Sequence, residues 1–196
     1  MLLELFPVTV KILDFSKDPL LDRLIEIVGS SEARAHSIIE NDPSSYGTAQ
    51  HILDHPDLAS LKQRLLTVTL DFCDELDLAP VKIINSWFNR QTQGSRVLPH
   101  RHQTSIISGA FYIKMPPGAP GLRVHSPYSG HRQAEYRRGN GIDNTDVQDL
   151  VCRRGTLVLF PSWLEHSVPP NQAEERWVVS FNTMHDFGGT HLTAPP

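Results

Sequence analysis

The sequence predicts a mainly β protein in which N-terminal helices pack outside a β-sandwich or barrel. Two observations support this fold class. The first 80 of the 196 residues carry two amphipathic helical patterns. After Pro80 the apolar residues fall in short runs rich in Val, Ile and Phe, and Gly or Pro separates these runs. Helices followed by many short strands are typical of a sheet core with helices on its outer face.

The N-terminal part is predicted to contain one strand and two helices. An apolar, β-prone segment over 3–10 predicts an edge strand, and 41–47 is rich in turn-forming residues. The first helix is predicted to start at Asp18, which acts as its N-cap, and to stop at Gly29. The second helix is predicted over 55–80, with Leu and Phe at helical spacing along one stripe.

The remaining part is predicted to be a β core. Five strands are predicted from β-branched and aromatic runs, and they cover 81–89, 105–115, 122–125, 156–160 and 176–184. The long polar loop over 126–149 has no predicted structure, and loops of that length often act as functional lids.

Length, apolar runs and cysteine content narrow the class of protein. A chain of 196 residues and 22.0 kDa fits one domain. Two cysteines, Cys73 and Cys152, are typical of a reducing compartment rather than of a disulfide scaffold. No run approaches the ~18 apolar residues of a membrane span, and the start lacks a basic signal region. We therefore expect a soluble, cytoplasmic protein that contacts no membrane.

The charge of the chain is unevenly distributed. The net charge is −4 and the pI is about 6.2, which argues against a strongly basic nucleic-acid binder. Residues 1–89 carry −7, residues 90–154 carry +6 and residues 155–196 carry −3. The basic middle segment is explained either by solvation of loops or by a surface that faces an anionic partner.

Three histidines are candidate metal ligands. On an extended chain, residues two apart point to the same side, so His100 and His102 can reach one metal ion. A third histidine, His166, follows the apolar strand that ends near Phe160. A facial set of three ligands leaves positions for water, substrate and oxygen. The H-x-H pair alone is weak evidence, because such pairs also occur by chance on surfaces.

Arg176 opens the last predicted strand and is a candidate anion-binding residue. The period of two places Arg176, Val178, Ser180 and Asn182 on one face. If that face points into a barrel, the buried guanidinium requires an anionic partner. A planar guanidinium binds a carboxylate through two parallel hydrogen bonds. The partner is either a ligand carboxylate or one of the chain's own acids.

Four motifs occur together and in order, which is more specific than any one of them. They are P-H-R-H at 99–102, S-G-A-F-Y-I at 108–113, F-P-S-W-L-E-H-S-V at 160–168 and R-W-V-V-S-F-N at 176–182. The chain resembles, over most of its length, a family of 2-oxoglutarate- and iron(II)-dependent oxygenases seen in phage and marine bacterial genomes. The resemblance implies one domain over 1–196. Its core is a double-stranded β-helix (jelly roll) over 81–185, with an N-terminal part over 1–80 and a tail over 186–196.

The resemblance also implies cofactors and site residues. Iron(II) would be held by the three histidines, and Arg176 would anchor the far carboxylate of 2-oxoglutarate. Tyr112 and Ser180 would contact this cosubstrate. The implied enzyme is an oxidoreductase that uses O2, releases succinate and CO2, and hydroxylates a substrate.

Two positions depart from the patterns of related oxygenases. His102 stands where most members of the wider superfamily have Asp or Glu, which leaves a more positive centre that zinc also accepts. Val178 stands where the family's R-x-S has a serine. The lost hydrogen bond is worth ~1–3 kcal/mol, and Tyr112, Ser180 or a water molecule can replace it.

Two further functions stay open. One is a cupin-like three-histidine dioxygenase that does not use 2-oxoglutarate, and the other is a non-enzymatic jelly-roll module with a structural zinc or no metal. His125 is an alternative ligand or a neighbour of the site, and His131 is a candidate substrate contact. The substrate is expected to be a small molecule or peptide. An arginine-rich region indicates that it can be anionic (Arg132, Arg137, Arg138, Arg153 and Arg154), and the acidic remainder disfavours nucleic acid.

Overall fold

The computed structural model describes residues 6–36, 39–44, 46, 50–131 and 146–186. Eleven strands and two α-helices occur in these residues: β1 (Lys11–Asp14), α1 (Leu21–Ser30), β2 (Arg34–His36), β3 (Ile39–Ser44), α2 (Ala59–Glu75), β4 (Val81–Thr92), β5 (Val97–His100), β6 (Ile107–Lys114), β7 (Arg123–His125), β8 (Val147–Asp149), β9 (Thr156–Pro161), β10 (His166–Val168) and β11 (Glu175–His185). Single 3-10 turns cover Ile52–Asp54, Pro56–Leu58 and Ser129–His131.

The strands form two antiparallel sheets that face each other. Hydrogen-bonded neighbours follow the order β1-β9-β6-β11-β4-β3-β5-β10-β7-β8, and β2 lies beside β3. One sheet consists of β1, β9, β6, β11 and β4, and the second consists of β5, β10, β7 and β8. β3 joins them through the pairs Ser44–Asn89 and Ile39–Val97. Side chains from both sheets line one cavity, which is where the candidate site lies.

The register of β11 separates the two faces of the larger sheet. β11 pairs with β4 from Glu175 to His185 and with β6 from Trp177 to Asn182. Because successive side chains of a strand point to opposite faces, neighbouring residues of β11 belong to two different apolar clusters, one beneath the helices and one between the sheets. Val179 and Phe181 pack towards the helices, whereas Val178 packs between the sheets.

The two helices cover the outer face of the larger sheet. Leu24 of α1 and Phe72 of α2 are fully buried in one cluster with Phe111 and Phe181 of the sheet. Asp18, just before α1, accepts two hydrogen bonds of 2.7 Å from Arg64 of α2, which fixes the helices to each other. The prediction of helices outside a β core is therefore confirmed. Among the described residues, no helix combines the length and apolar character needed to span a bilayer.

Several predictions for the first 80 residues are wrong in detail. The edge strand is β1 at 11–14 rather than 3–10, where residues 7–10 are irregular and 1–5 lie outside the described residues. α1 starts at Leu21, because Asp18 accepts a hydrogen bond from the backbone of Leu20 before the first helical turn. Most of the predicted turn region at 41–47 belongs to β3.

Other differences concern element ends and short strands. The second helical segment ends at Glu75, well before Pro80. The short strands β2, β5, β8 and β10 were not predicted, because each is held by its neighbours rather than by its own sequence pattern. The single-domain organisation stays a prediction, and the predicted tail lies almost wholly outside the described residues.

The packing of Gly109 against Phe181 gives a test of the larger sheet. A Cβ atom at Gly109 would lie 2.2 Å from the Phe181 ring, which sits opposite it on β11. We expect Gly109→Ala to lower the free energy of unfolding by about 1–3 kcal/mol, since overpacking forces side chains out of place. Gly130→Ala is the control, because a Cβ there meets nothing within 4 Å. Urea titrations that place both variants within about 0.5 kcal/mol of wild type would contradict this packing.

Candidate active site

A cavity of about 490 Å³ lies between the two sheets. The structure brings all six predicted site residues to its walls, namely His100, His102, Tyr112, His166, Arg176 and Ser180. The sequence patterns therefore identified residues that are 80 positions apart in the chain and adjacent in space.

The three histidines converge at one end of this cavity. Their candidate ligand nitrogens all lie within 4.8 Å of one another. His100 of β5 is directly opposite His166 of β10, and their ring centroids are 4.2 Å apart. His102 follows β5 by two residues, and its ring lies 5.0 Å from that of His166.

Backbone carbonyl groups orient two of the rings. Nδ1 of His100 is 2.8 Å from the carbonyl oxygen of Leu98, and Nδ1 of His166 is 2.9 Å from that of Leu164. A carbonyl oxygen only accepts, so each Nδ1 carries the proton. Nε2 is then the nitrogen that would bind a metal, which is the usual arrangement of histidine ligands.

Asn182 orients the third ring. Nδ1 of His102 is 2.7 Å from Oδ1 of Asn182, which also accepts a hydrogen bond of 2.8 Å from Ser108. Sequence analysis predicted that Asn182 shares a strand face with Arg176, but it did not predict a function for Asn182. The even spacing of six residues from Arg176 was the sequence feature that could have indicated a role for Asn182 in the site. Asn182 ties the loop that carries His102 to the larger sheet.

The environment keeps these histidines neutral. Burial, together with the neighbouring His100, lowers the pKa of His102 to about 4. The same causes hold the pKa of His166 well below its ordinary value. Neutral imidazole is the form that binds a metal ion, so both rings are ready to bind at pH 7.

The donor set fits a divalent metal ion. The group contains three imidazoles and no carboxylate, so it adds no negative charge to the metal. Imidazole suits iron and also zinc, and three protein ligands leave coordination positions for other groups. His125 is not part of this group, and its Nε2 lies 2.8 Å from the hydroxyl of Ser167.

Arg176 is buried at another wall of the cavity, and no acid of the described residues pairs with it. Its side chain is 2% exposed, and Nε donates to the carbonyl of Pro120 at 2.7 Å. Nη1 donates to Oε1 of Gln91, and the Tyr112 ring lies 5.1 Å from Cζ. Among the described residues, none of the ion pairs includes Arg176, so the alternative of a salt bridge to the chain's own acid finds no support there. Burial lowers the pKa of the guanidinium, and an anion in the cavity would supply the missing charge.

Three buried polar atoms on the strands next to β11 have no hydrogen-bond partner among the described residues. They are the hydroxyl oxygen of Tyr112 and the Oδ1 atoms of Asn85 and Asn89. Tyr112 and Asn89 are both opposite Val178, on the two strands that flank β11. The hydroxyl of Tyr112 is therefore placed to donate the hydrogen bond that the resemblance assigns to a serine at position 178, whereas Oδ1 of Asn89 can only accept.

The basic middle of the chain contributes little to this cavity. Lys114 pairs with Glu175, Arg154 with Asp22, and Arg123 with Asp149 at 2.6 Å, all away from the cavity walls. Ion pairs within the chain therefore account for these three cations, and two of them, Lys114 and Arg123, lie in strands rather than in loops. Arg132, Arg137 and Arg138 of the predicted lid lie outside the described residues. Arg153 and His131 are described, but neither lines the cavity.

Comparisons with known proteins agree with this geometry. A family described as “Putative 2OG-Fe(II) oxygenase” matches residues 85–182, which is half of the chain. A comparison with curated protein sequences found no significant match.

Solved structures show the same fold at low sequence identity. HygX from Streptomyces hygroscopicus, crystallised with nickel and 2-oxoglutarate bound, is 11% identical, with a TM-score of 0.67 over 92% of this chain and 84% of HygX. A prolyl-4-hydroxylase from Pseudomonas putida is 16% identical, with a TM-score of 0.62 over 91% of this chain and 94% of that one. The predicted double-stranded β-helix is therefore confirmed.

We expect His166→Ala to lower the affinity for Fe(II) or Co(II) by more than ~100-fold, because losing a ligand costs more than the 10–100-fold of losing a residue that supports one. His125→Ala is the matched control and should stay within a few-fold of wild type. Anaerobic titration of metal-free protein measures both. Equal losses in the two variants would show that His166 has no special role.

The low histidine pKa values predict an acid-sensitive metal-free protein. In the unfolded chain these histidines titrate near pH 6.5, whereas folded His102 titrates at about 4. Between these values the unfolded state binds more protons, so stability falls as pH falls, by up to about 1.4 kcal/mol per pH unit for each histidine. His102→Asn should reduce this slope, and His131→Asn should not. Unfolding free energies that are constant from pH 7 to 5 would contradict the assignment.

Proposed function

The chain belongs to the 2OG-Fe(II) oxygenase family, and on that premise we propose that it oxidises a C–H bond of a substrate, by hydroxylation, with release of succinate and CO2. The observation that carries this proposal is the pairing of two features in one cavity. Three histidines converge at one place, and the buried Arg176 lacks an anionic partner among the described residues. The first feature suits a metal, and the second suits a carboxylate.

The protein's contribution is to hold and orient these groups. When bound by His100, His102 and His166, iron(II) with 2-oxoglutarate and O2 supplies the oxidative chemistry. The backbone carbonyls and Asn182 keep the protons of the three rings on Nδ1, so the rings stay aimed at one point. Burial of His166, which is 5% exposed, limits the access of bulk water.

Arg176 is assigned to the far carboxylate of 2-oxoglutarate. Its guanidinium is held in place by neutral oxygens, so its positive charge is available to a ligand. The hydroxyl of Tyr112 lies opposite Val178 and can donate to this carboxylate. Ser180, one step further along the cavity face, is assigned a supporting contact. These neighbours compensate for the missing serine.

The remaining wall points to a neutral or anionic substrate. Of the described residues that line the cavity, only Arg101 and Arg176 carry a charge, and no carboxylate does. Arg101 lies 3.7 Å from Glu165, which is a weak, half-exposed ion pair. Trp87 presents an aromatic surface beside His102, with ring centroids 5.7 Å apart. A small molecule or peptide that carries a flat apolar group and no positive charge fits this wall.

The proposed reaction is tested by following succinate. Protein with added Fe(II) under O2 should convert 2-oxoglutarate to succinate, measured by NMR, and a cosubstrate-dependent product identifies the substrate in a panel of metabolites and peptides. Oxygen consumption that does not require 2-oxoglutarate would instead identify a cupin-like dioxygenase. Tightly bound zinc with no turnover would identify a binding module.

We expect Arg176→Ala to weaken 2-oxoglutarate binding by at least ~30-fold, or about 2 kcal/mol, because a buried charge-assisted contact is lost. Arg123→Ala is the matched control, since Arg123 pairs with Asp149 on the surface. Calorimetric titration of Mn(II)-loaded protein without oxygen measures both affinities. An unchanged affinity in Arg176→Ala would remove its assigned role.

A further inference from the structure

We propose that Gln91 is a positioning residue that holds Arg176 through a neutral oxygen and thereby keeps its positive charge available for a carboxylate ligand. The identity of that ligand as 2-oxoglutarate rests on the proposed function, whereas the role of Gln91 follows from the contacts of the guanidinium. A carboxylate at position 91 would hold Arg176 equally well, but it would also neutralise the positive charge of the guanidinium.

The geometry fixes which end of the Gln91 amide faces Arg176. Gln91 of β4 is directly opposite Arg176 of β11, and its side chain is fully buried. A guanidinium has only donors, so the atom that meets Nη1 is the amide oxygen Oε1. The other end, Nε2, donates to the hydroxyl of Ser95 at 3.1 Å. Both ends of the amide are therefore assigned by their partners.

A buried polar network holds Gln91 in this position. Asn171 is fully buried, and its side-chain amide donates to the backbone oxygens of Gln91 and Thr92, the latter at 3.0 Å. The backbone N–H of Asn171 donates to the carbonyl of Ser95 at 2.8 Å. The turn after β4 is thus fixed to the segment before β11. Side chains at this end of the sheet have little freedom to move away from Arg176.

The contacts leave part of the guanidinium unused. Gln91 and Pro120 take one N–H each, on Nη1 and Nε. A guanidinium has five N–H donors, so these two contacts do not use all of them, and Arg176 lines the cavity beside the ring of Tyr112. Both acceptors are neutral, so neither contact cancels the charge. A buried cation in this state costs free energy when the cavity is empty and regains it when an anion binds.

The substitution Gln91→Glu separates positioning from charge. Glutamate has the same length, so it can accept from Arg176 and from the hydroxyl of Ser95. It would form a buried ion pair, and we expect it to raise the unfolding temperature of the metal-free protein. The same ion pair competes with the ligand, so the affinity of Mn(II)-loaded protein for 2-oxoglutarate should fall at least 10-fold. Mn(II) affinity should stay within about 3-fold, since the histidines are not changed.

Gln93→Glu is the matched control. Gln93 is an exposed residue two positions further along, and the variant has the same change in charge and size. It should alter neither the unfolding temperature nor the 2-oxoglutarate affinity appreciably. Gln91→Leu removes the acceptor without adding charge, and it should lower stability and affinity together.

Opposite shifts in stability and affinity for Gln91→Glu support the proposal, because a purely structural role would move both downwards. A variant that unfolds at a lower temperature than wild type, or that binds 2-oxoglutarate within 2-fold of wild type, overturns it. If wild-type protein does not bind 2-oxoglutarate, the proposed function fails. The unfolding temperature of Gln91→Glu against Gln93→Glu still decides whether Gln91 leaves Arg176 uncompensated.

Discussion

The pairing of β11 with β4 on one side and β6 on the other is the constraint on which the site depends. A shift of one residue in this register would move every side chain of β11 to the opposite face. In the observed register, Phe181 and Val179 pack beneath the helices, and Arg176 and Asn182 face the cavity. The apolar residues that anchor the helical layer therefore also fix the positions of Arg176 and of the Asn182 amide that orients His102.

The charged and polar groups that line the cavity suit a metal ion and an anion that the chain itself does not supply. Three histidines lie at one end of the cavity and Arg176 lies at another, and no carboxylate occurs among the described residues of the lining. Desolvation of a guanidinium costs several kcal/mol, and neutral acceptors such as Gln91 and Pro120 offset only part of it. Binding of an anion in the cavity would offset the remainder. This protein's stability and its ligand affinity are therefore linked through the same residues.

The sequence predicted the fold class, and the six residues that it predicted for the site all line one cavity. Both predictions rest on local patterns and motifs. Alternation on long strands and helical spacing in the first 80 residues are properties of the segments themselves. The unpredicted elements are those that depend on partners. β3 contains Asn, Asp and Pro, which favour turns. β10 has only three residues and is held between the short strands β5 and β7.

The same reason explains the residues that were missed. One face of β4 carries Trp87, Asn89 and Gln91, which follow each other at a spacing of two. The sequence indicates this common face but not that it pairs with Arg176 and Val178 of β11. The start of α1 was predicted too early, because the Asp18 carboxylate accepts hydrogen bonds from the backbone of Leu20 and from Arg64, 46 residues away in the chain. Roles that require knowledge of the facing strand or helix became visible only in the assembled fold.

The most direct test of the account is an anaerobic crystal structure with Fe(II) and 2-oxoglutarate bound. We expect the metal to be held by Nε2 of His100, His102 and His166, and the far carboxylate of 2-oxoglutarate to contact Arg176. A metal that excludes His102, or a 2-oxoglutarate whose far carboxylate lies away from Arg176, would contradict it.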